Sequence, residues 1–141
     1  RDTRAIVRRA GNQATLNVHY VNRNEKYLVG RYDLEVLTLP RTLITDVDIR
    51  QSHTTTVEIP GPGIAVIQKT TLGFGSLYVE RDNRLEWVYN LSEGQTQESL
   101  LLQPGKYRIV FRPRYAKSSL HTVEKTFEIS TGKTITVDVY R

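Results

Sequence analysis

Gly105-Lys106-Tyr107-Arg108-Ile109-Val110-Phe111 decides the fold, because the chain has already written it once as Gly30-Arg31-Tyr32-Asp33-Leu34-Glu35-Val36. In both copies a glycine opens a run whose apolar residues recur at every second position. A half-buried strand needs that period, and a helix has no use for it. Apolar residues precede each copy, Tyr27-Leu28-Val29 in one case and Leu100-Leu101-Leu102-Gln103-Pro104 in the other. A threonine-rich alternating segment follows each, Thr54-Thr55-Thr56-Val57-Glu58-Ile59 and Thr134-Ile135-Thr136-Val137-Asp138-Val139. Upstream, Ala14-Thr15-Leu16-Asn17-Val18 aligns with Gly75-Ser76-Leu77-Tyr78-Val79, and Ala5-Ile6-Val7 with the run from Ile64 to Gln68. A unit repeated in this way sets the architecture before any chemistry is considered.

Alternation extends beyond the quoted runs. Leu16, Val18 and Tyr20 share one face of a strand, Val47 and Ile49 alternate with Asp46 and Asp48, and Phe127 and Ile129 close another strand. No window sustains an apolar stripe at helical spacing. Asp82-Asn83 between two alternating runs predicts a tight hairpin, since both residue types tolerate left-handed backbone angles. Thr131-Gly132 predicts a turn, with Ser52-His53 at the matching place in the first copy. Pro60-Gly61-Pro62-Gly63 is the clearest boundary, because its prolines supply no ladder donors. The expectation is an all-β protein of two tandem, mutually packed β-sandwich repeats with mostly antiparallel strands. The first occupies residues 1–61 and the second 62–141, the latter with an added strand and polar loop around Trp87, from Arg84 to Glu98.

Composition narrows the function classes. The chain has 141 residues, 38% of them hydrophobic and 25% charged, as in ordinary globular proteins. Halves this small bury little core alone, which is why packing between them is expected. No apolar stretch reaches the length of a membrane span. The absence of methionine implies a processed product or a segment of a longer protein, and the absence of cysteine excludes disulfides and thiolate metal ligands. A net charge of +5 raises nucleic-acid binding, but the basic residues are scattered. In the densest run, Arg108 to Lys117, alternation turns Tyr107 and Phe111 inward and leaves the arginines in water. No nucleic-acid partner is expected.

Leu102-Gln103-Pro104-Gly105-Lys106-Tyr107-Arg108-Ile109-Val110-Phe111 resembles the L-x-P-G-x-Y-x-V-x-F strand of small transthyretin-like and PEGA-type β-sandwich modules. The first copy keeps Gly30 and Tyr32 but has Val29 where that motif has proline. With Ile67 to Tyr78 and Leu85 to Leu91, the whole span is similar to the tandem β-sandwich region C-terminal to the A domain in bacterial von Willebrand factor A-domain proteins. The resemblance implies a periplasmic or cell-surface setting, an adjoining domain of the parent protein and a protein partner. The A domain's Asp-x-Ser-x-Ser metal signature occurs nowhere in the chain.

Reactive constellations are weak by the same standard. His19, His53 and His121 stand apart, without metal-ligand spacing along one strand. Ser99 or Ser119 with His121 lacks a G-x-S-x-G elbow to present a nucleophile. Gly132-Lys133-Thr134 mimics the tail of a phosphate loop, but a strand follows it where such a loop needs a helix. Asp33, Glu35, Asp46 and Asp48 form an outward acidic face, read as solvated rather than as a cation site. Asn90-Leu91-Ser92 matches a glycosylation acceptor, which matters only in a eukaryotic secretory setting. Trp87, Tyr89 and Tyr115 are the candidate ligand or partner surface. Alternation puts Trp87 and Tyr89 on one face with Leu85, opposite Glu86, and so turns them inward; the other reading is a platform for a glycan. The expected function is therefore non-catalytic, without metal or cofactor: a spacer or docking module of a larger bacterial envelope protein. The alternative is a carbohydrate-binding module using the aromatics of the second repeat.

Overall fold

A computed structural model describes residues 3–69, 71–113 and 122–139. Among these there is no helix, and eleven strands carry the fold. The chain divides into two compact units, Arg1–Ile59 and Pro60–Arg141, with the division at the head of the Pro-Gly-Pro-Gly segment. The protein is all-β, as the alternation requires.

Unit 1 holds β1 (Arg4–Arg9), β2 (Asn17–Tyr20), β3 (Gly30–Val36) and β4 (Thr42–Ile49) in one antiparallel sheet, ordered β2-β1-β3-β4. Ala5, Val7, Tyr32 and Val36 are buried on its inner face. In β4 an extra residue interrupts the register opposite β3, and Asp46 takes a positive φ of 60° there. The Asp33 carboxylate holds that bulge by accepting the Asp46 amide at 3.0 Å.

Unit 2 is a sandwich of two sheets. One, ordered β10-β9-β6-β7, contains β6 (Gly73–Arg81), β7 (Arg84–Asn90), β9 (Gly105–Pro113) and β10 (Val123–Ile129). The other, ordered β11-β5-β8, contains β5 (Gly63–Gln68), β8 (Gln97–Leu102) and β11 (Thr134–Asp138), with β11 parallel to β5. Ala65, Ile67, Leu77, Leu102, Tyr107, Ile109 and Phe111 fill the space between. Tyr107 and Phe111 point inward as their spacing predicts. Asp82 and Asn83 both adopt positive φ between β6 and β7, as their side chains permit.

The duplication is visible in topology. The orders β2-β1-β3-β4 and β7-β6-β9-β10 are the same arrangement, each with a hairpin, a return and a second hairpin. Gly30 and Gly105 share a φ of 155°. Two residues later Tyr32 and Tyr107 are 2% and 0% exposed, and each donates its hydroxyl to the carbonyl four residues upstream, Leu28 and Gln103.

The structure differs from the sequence expectations at five points. The counterpart of β6 is β1, not the stretch around Leu16, and β5 belongs to a second sheet, so Ala5 to Val7 does not echo it. Alternation names faces but not neighbours, and any two alternating runs can be aligned. The strand around Trp87 is not an addition, since β7 stands where β2 stands. Leu16, Val18 and Tyr20 are exposed, Tyr20 lying between the guanidinium groups of Arg4 and Arg23. Residues 54–59 form no strand.

Candidate binding face

The outer face of the β10-β9-β6-β7 sheet gathers the side chains with most to offer a partner. Cross-strand register sets Trp87 beside Tyr78, and Tyr78 beside Arg108. The next rung joins Asn90, Ser76 and Val110, and a third joins Phe74 to Arg112. Trp87 is 60% exposed and Phe74 49%. An open groove of about 410 Å³ beside Phe74 is lined among others by Phe74, Ser76, Tyr78, Asn90, Val110 and Arg112.

Polar contacts fix this surface. Asn90 Oδ1 accepts from Trp87 Nε1 at 2.9 Å and from Ser76 Oγ at 3.0 Å. The indole is thereby tethered at one edge while its faces stay wet, and the Asn90 amide NH2 is that side chain's remaining donor. Arg108 sits between Glu80 at 3.7 Å and Glu124 at 3.4 Å, which holds a cation in the middle of the sheet.

Trp87 and Tyr89 do not share a face. The register shifts between Leu77 and Tyr78, so Trp87 pairs with Tyr78 while Tyr89 pairs with Leu77, and Val88 is the extra, buried residue. The bulge breaks the strict alternation on which the inward placement of both aromatics rested. Tyr89 is half-buried and donates to Glu98 Oε1 at 3.2 Å, and burial raises its pKa. Tyr115 lies outside the described residues, as do Ser119 and His121.

Sequence reading missed a buried ion pair that supports this face from behind. Lys69 and Glu98 are both buried, with Nζ and Oε2 3.5 Å apart. Lys69 also donates to the Ser92 carbonyl at 2.6 Å, and Glu98 accepts the Ser92 amide at 2.7 Å. Together they clamp both backbone groups of Ser92, in the connection from β7 to β8. Nothing in the sequence marks partners 29 residues apart. The only hint is a charge at an inward position of an otherwise apolar strand, Glu98 before Leu100 and Leu102.

The remaining candidates are engaged structurally. Glu35 is held by Arg8 at 3.0 Å and by Arg41, which together keep its carboxyl below the usual range. Asp46 pairs with Arg31 and Asp48 with Arg50, while Asp33 accepts the Gly11 and Asp46 amides, so each carboxylate of the acidic face is engaged within unit 1. His19 bonds the Tyr27 hydroxyl and the Arg23 carbonyl, and His53 bonds the Gln51 carbonyl. Among the described residues no three His, Asp or Glu side chains gather as a metal site, and no helix is long and apolar enough to cross a membrane. Gly132-Lys133 forms a turn into β11. Comparison with protein-family models, curated proteins and solved structures gives no significant match.

Proposed function

We propose that the chain is a non-catalytic interaction module, a docking platform within a larger protein, and that its contact surface is the outer face around Trp87. The observation that carries this reading is the exposed pair Trp87 and Phe74 on a rigid sheet, beside a tethered Asn90 and a fixed Arg108. Tryptophan, aromatic neighbours and arginine are the residue types that dominate binding energy where proteins meet. The sheet supplies them in one geometry, so little ordering entropy opposes binding. A bacterial envelope setting, with an adjoining parent domain and a protein partner, is the context that the transthyretin-like and PEGA-like resemblance suggests for this reading.

A second reading is favoured by one detail. An indole held edge-on by Asn90 of its own strand, with the Arg108 guanidinium two strands away beyond Tyr78, also suits a sugar ring: an apolar face to stack on and hydroxyls to bond. One experiment addresses both readings. Trp87 is the only tryptophan, so its emission reports this face directly. Cross-linked partners of the parent protein that are retained by wild type and lost by Trp87→Ala and Phe74→Ser support docking. Truncating the central aromatic should weaken binding by about 2 kcal/mol, roughly thirtyfold. A saturable emission change with a polysaccharide, absent in Ser76→Ala/Asn90→Ala, moves the assignment to glycan. Partners bound equally by wild type and both aromatic variants would refute this face as the contact surface.

A further inference from the structure

Asn17 and His19 of β2 stand opposite Val7 and Ala5 of β1, so they face the inner side of the unit 1 sheet, both half-buried. The connection from β2 to β3, residues 21–29, folds back onto them. Its Tyr27 ring stacks on His19 with centroids 6.0 Å apart and leans on Tyr32 of β3 at 5.4 Å. Asn17 Nδ2 donates to Glu25 Oε2 at 2.6 Å and to the Tyr27 hydroxyl at 3.0 Å, and that hydroxyl donates to Glu25 Oε2 at 3.1 Å. His19 Nε2 lies 2.6 Å from the Arg23 carbonyl. Its Nδ1 lies 2.9 Å from the Tyr27 hydroxyl and 3.2 Å from Glu25 Oε2.

Donors and acceptors balance here in only one protonation state. A carbonyl only accepts, so Nε2 carries a hydrogen, and in neutral imidazole Nδ1 is then a bare acceptor. Nδ1 and Glu25 Oε2 compete for the one Tyr27 hydrogen, and they face each other, acceptor to acceptor, at 3.2 Å. With a second proton on the ring, Nδ1 donates, Tyr27 donates to Glu25, and each close pair joins a donor to an acceptor. The imidazolium–carboxylate contact is also the stronger, charge-assisted kind. The other neighbours leave this balance in place. β1 sets uncharged Ala5 opposite His19, the guanidinium groups of Arg4 and Arg23 lie over the Tyr20 ring, and that of Arg9 lies over the Tyr32 ring.

We propose that His19 is a proton-operated latch, whose protonation fastens residues 21–29 to the unit 1 sheet and whose deprotonation loosens them, uncovering the ring of Tyr32. Histidines change charge between about pH 5 and 8 and glutamates near about pH 4. The latch is therefore complete on the acid side of the histidine window and is lost as pH rises through it. It is lost again where Glu25 takes a proton. Burial, opposed by the Asn17 hydrogen bond and aided by Glu25, raises the Tyr27 pKa, so its hydroxyl keeps its hydrogen throughout. The device lies in unit 1 and does not depend on the reading of Trp87.

Isotope-labelled full chain is compared by NMR at pH 5.5 and 7.5, reading backbone order parameters of residues 23–28 and cross-relaxation between the Tyr27 and Tyr32 rings. Order parameters should stand near about 0.85 at the lower pH and fall toward about 0.6 at the higher, with ring cross-peaks weakened roughly twofold or more. His19→Gln carries no titrating ring and should abolish the difference, and Glu25→Gln should shrink it. His53→Gln should leave it intact, because that ring bonds only the nearby Gln51 carbonyl. Equal dynamics at the two pH values in wild type would overturn the proposal, whatever the variants do. So would an undiminished response in His19→Gln, or a response matched by a shift in Trp87 emission, which would mark general loosening of the chain.

Discussion

Tyr32 and Tyr107 make the same hydrogen bond at different depths, and the depths set different costs. The carbonyl that Tyr107 satisfies belongs to buried Gln103, so Tyr107→Phe leaves a polar group without water and should cost about 1–3 kcal/mol. Leu28 is exposed, water replaces the lost donor, and Tyr32→Phe should cost at most about 1 kcal/mol. Urea melts of the two variants check the order. Burial also pushes the Tyr107 hydroxyl from 10.0 up to about 12. Its neutral form is the one the fold favours, so its contribution is complete below pH 10 and is lost as pH rises through 12. That loss amounts to about 2–3 kcal/mol, and the stability of Tyr107→Phe should show a correspondingly shallower fall across this window. Parallel alkaline slopes for the two proteins would contradict the assignment. At Lys69, truncation to methionine leaves Glu98 buried without its cation and should cost about 3–5 kcal/mol, much of which Lys69→Met/Glu98→Leu should recover in a double-mutant cycle.

Elements explain which parts of this account the sequence discloses. Alternation in β9 is uninterrupted, so Tyr107, Ile109 and Phe111 could be assigned to the core from period alone. The Asp82-Asn83 hairpin was equally legible, because turn chemistry is local; Asn83→Val should cost about 1–2 kcal/mol in thermal melts, with Asn83→Gly near neutral. β7 was not legible. A single extra residue, Val88, separates Trp87 from Tyr89, and bulges leave no reliable mark in an alternating run. Pairing was hidden as well, since β1 and β2 both offer alternating residues and only the ladder shows which one β6 repeats. The Lys69–Glu98 pair joins the ends of two segments far apart in sequence, which composition cannot anticipate.

Across the molecule, one four-stranded sheet occurs twice, and the surroundings of the two copies differ. In unit 2 a second sheet covers the inner face, and the outer face presents Trp87. In unit 1 Ala5, Val7, Tyr32 and Val36 are buried but Leu34 and Ile49 are only half-buried, and the segment matching β11 joins no ladder among the described residues. Site-resolved amide exchange on the free full chain tests this most directly. The account predicts slow exchange along β3 and β9 alike, slow exchange along β11, and near-coil rates at residues 54–59. Protection at 54–59 equal to that of Thr134–Asp138 in the free chain, or coil-like rates along β3, would contradict it.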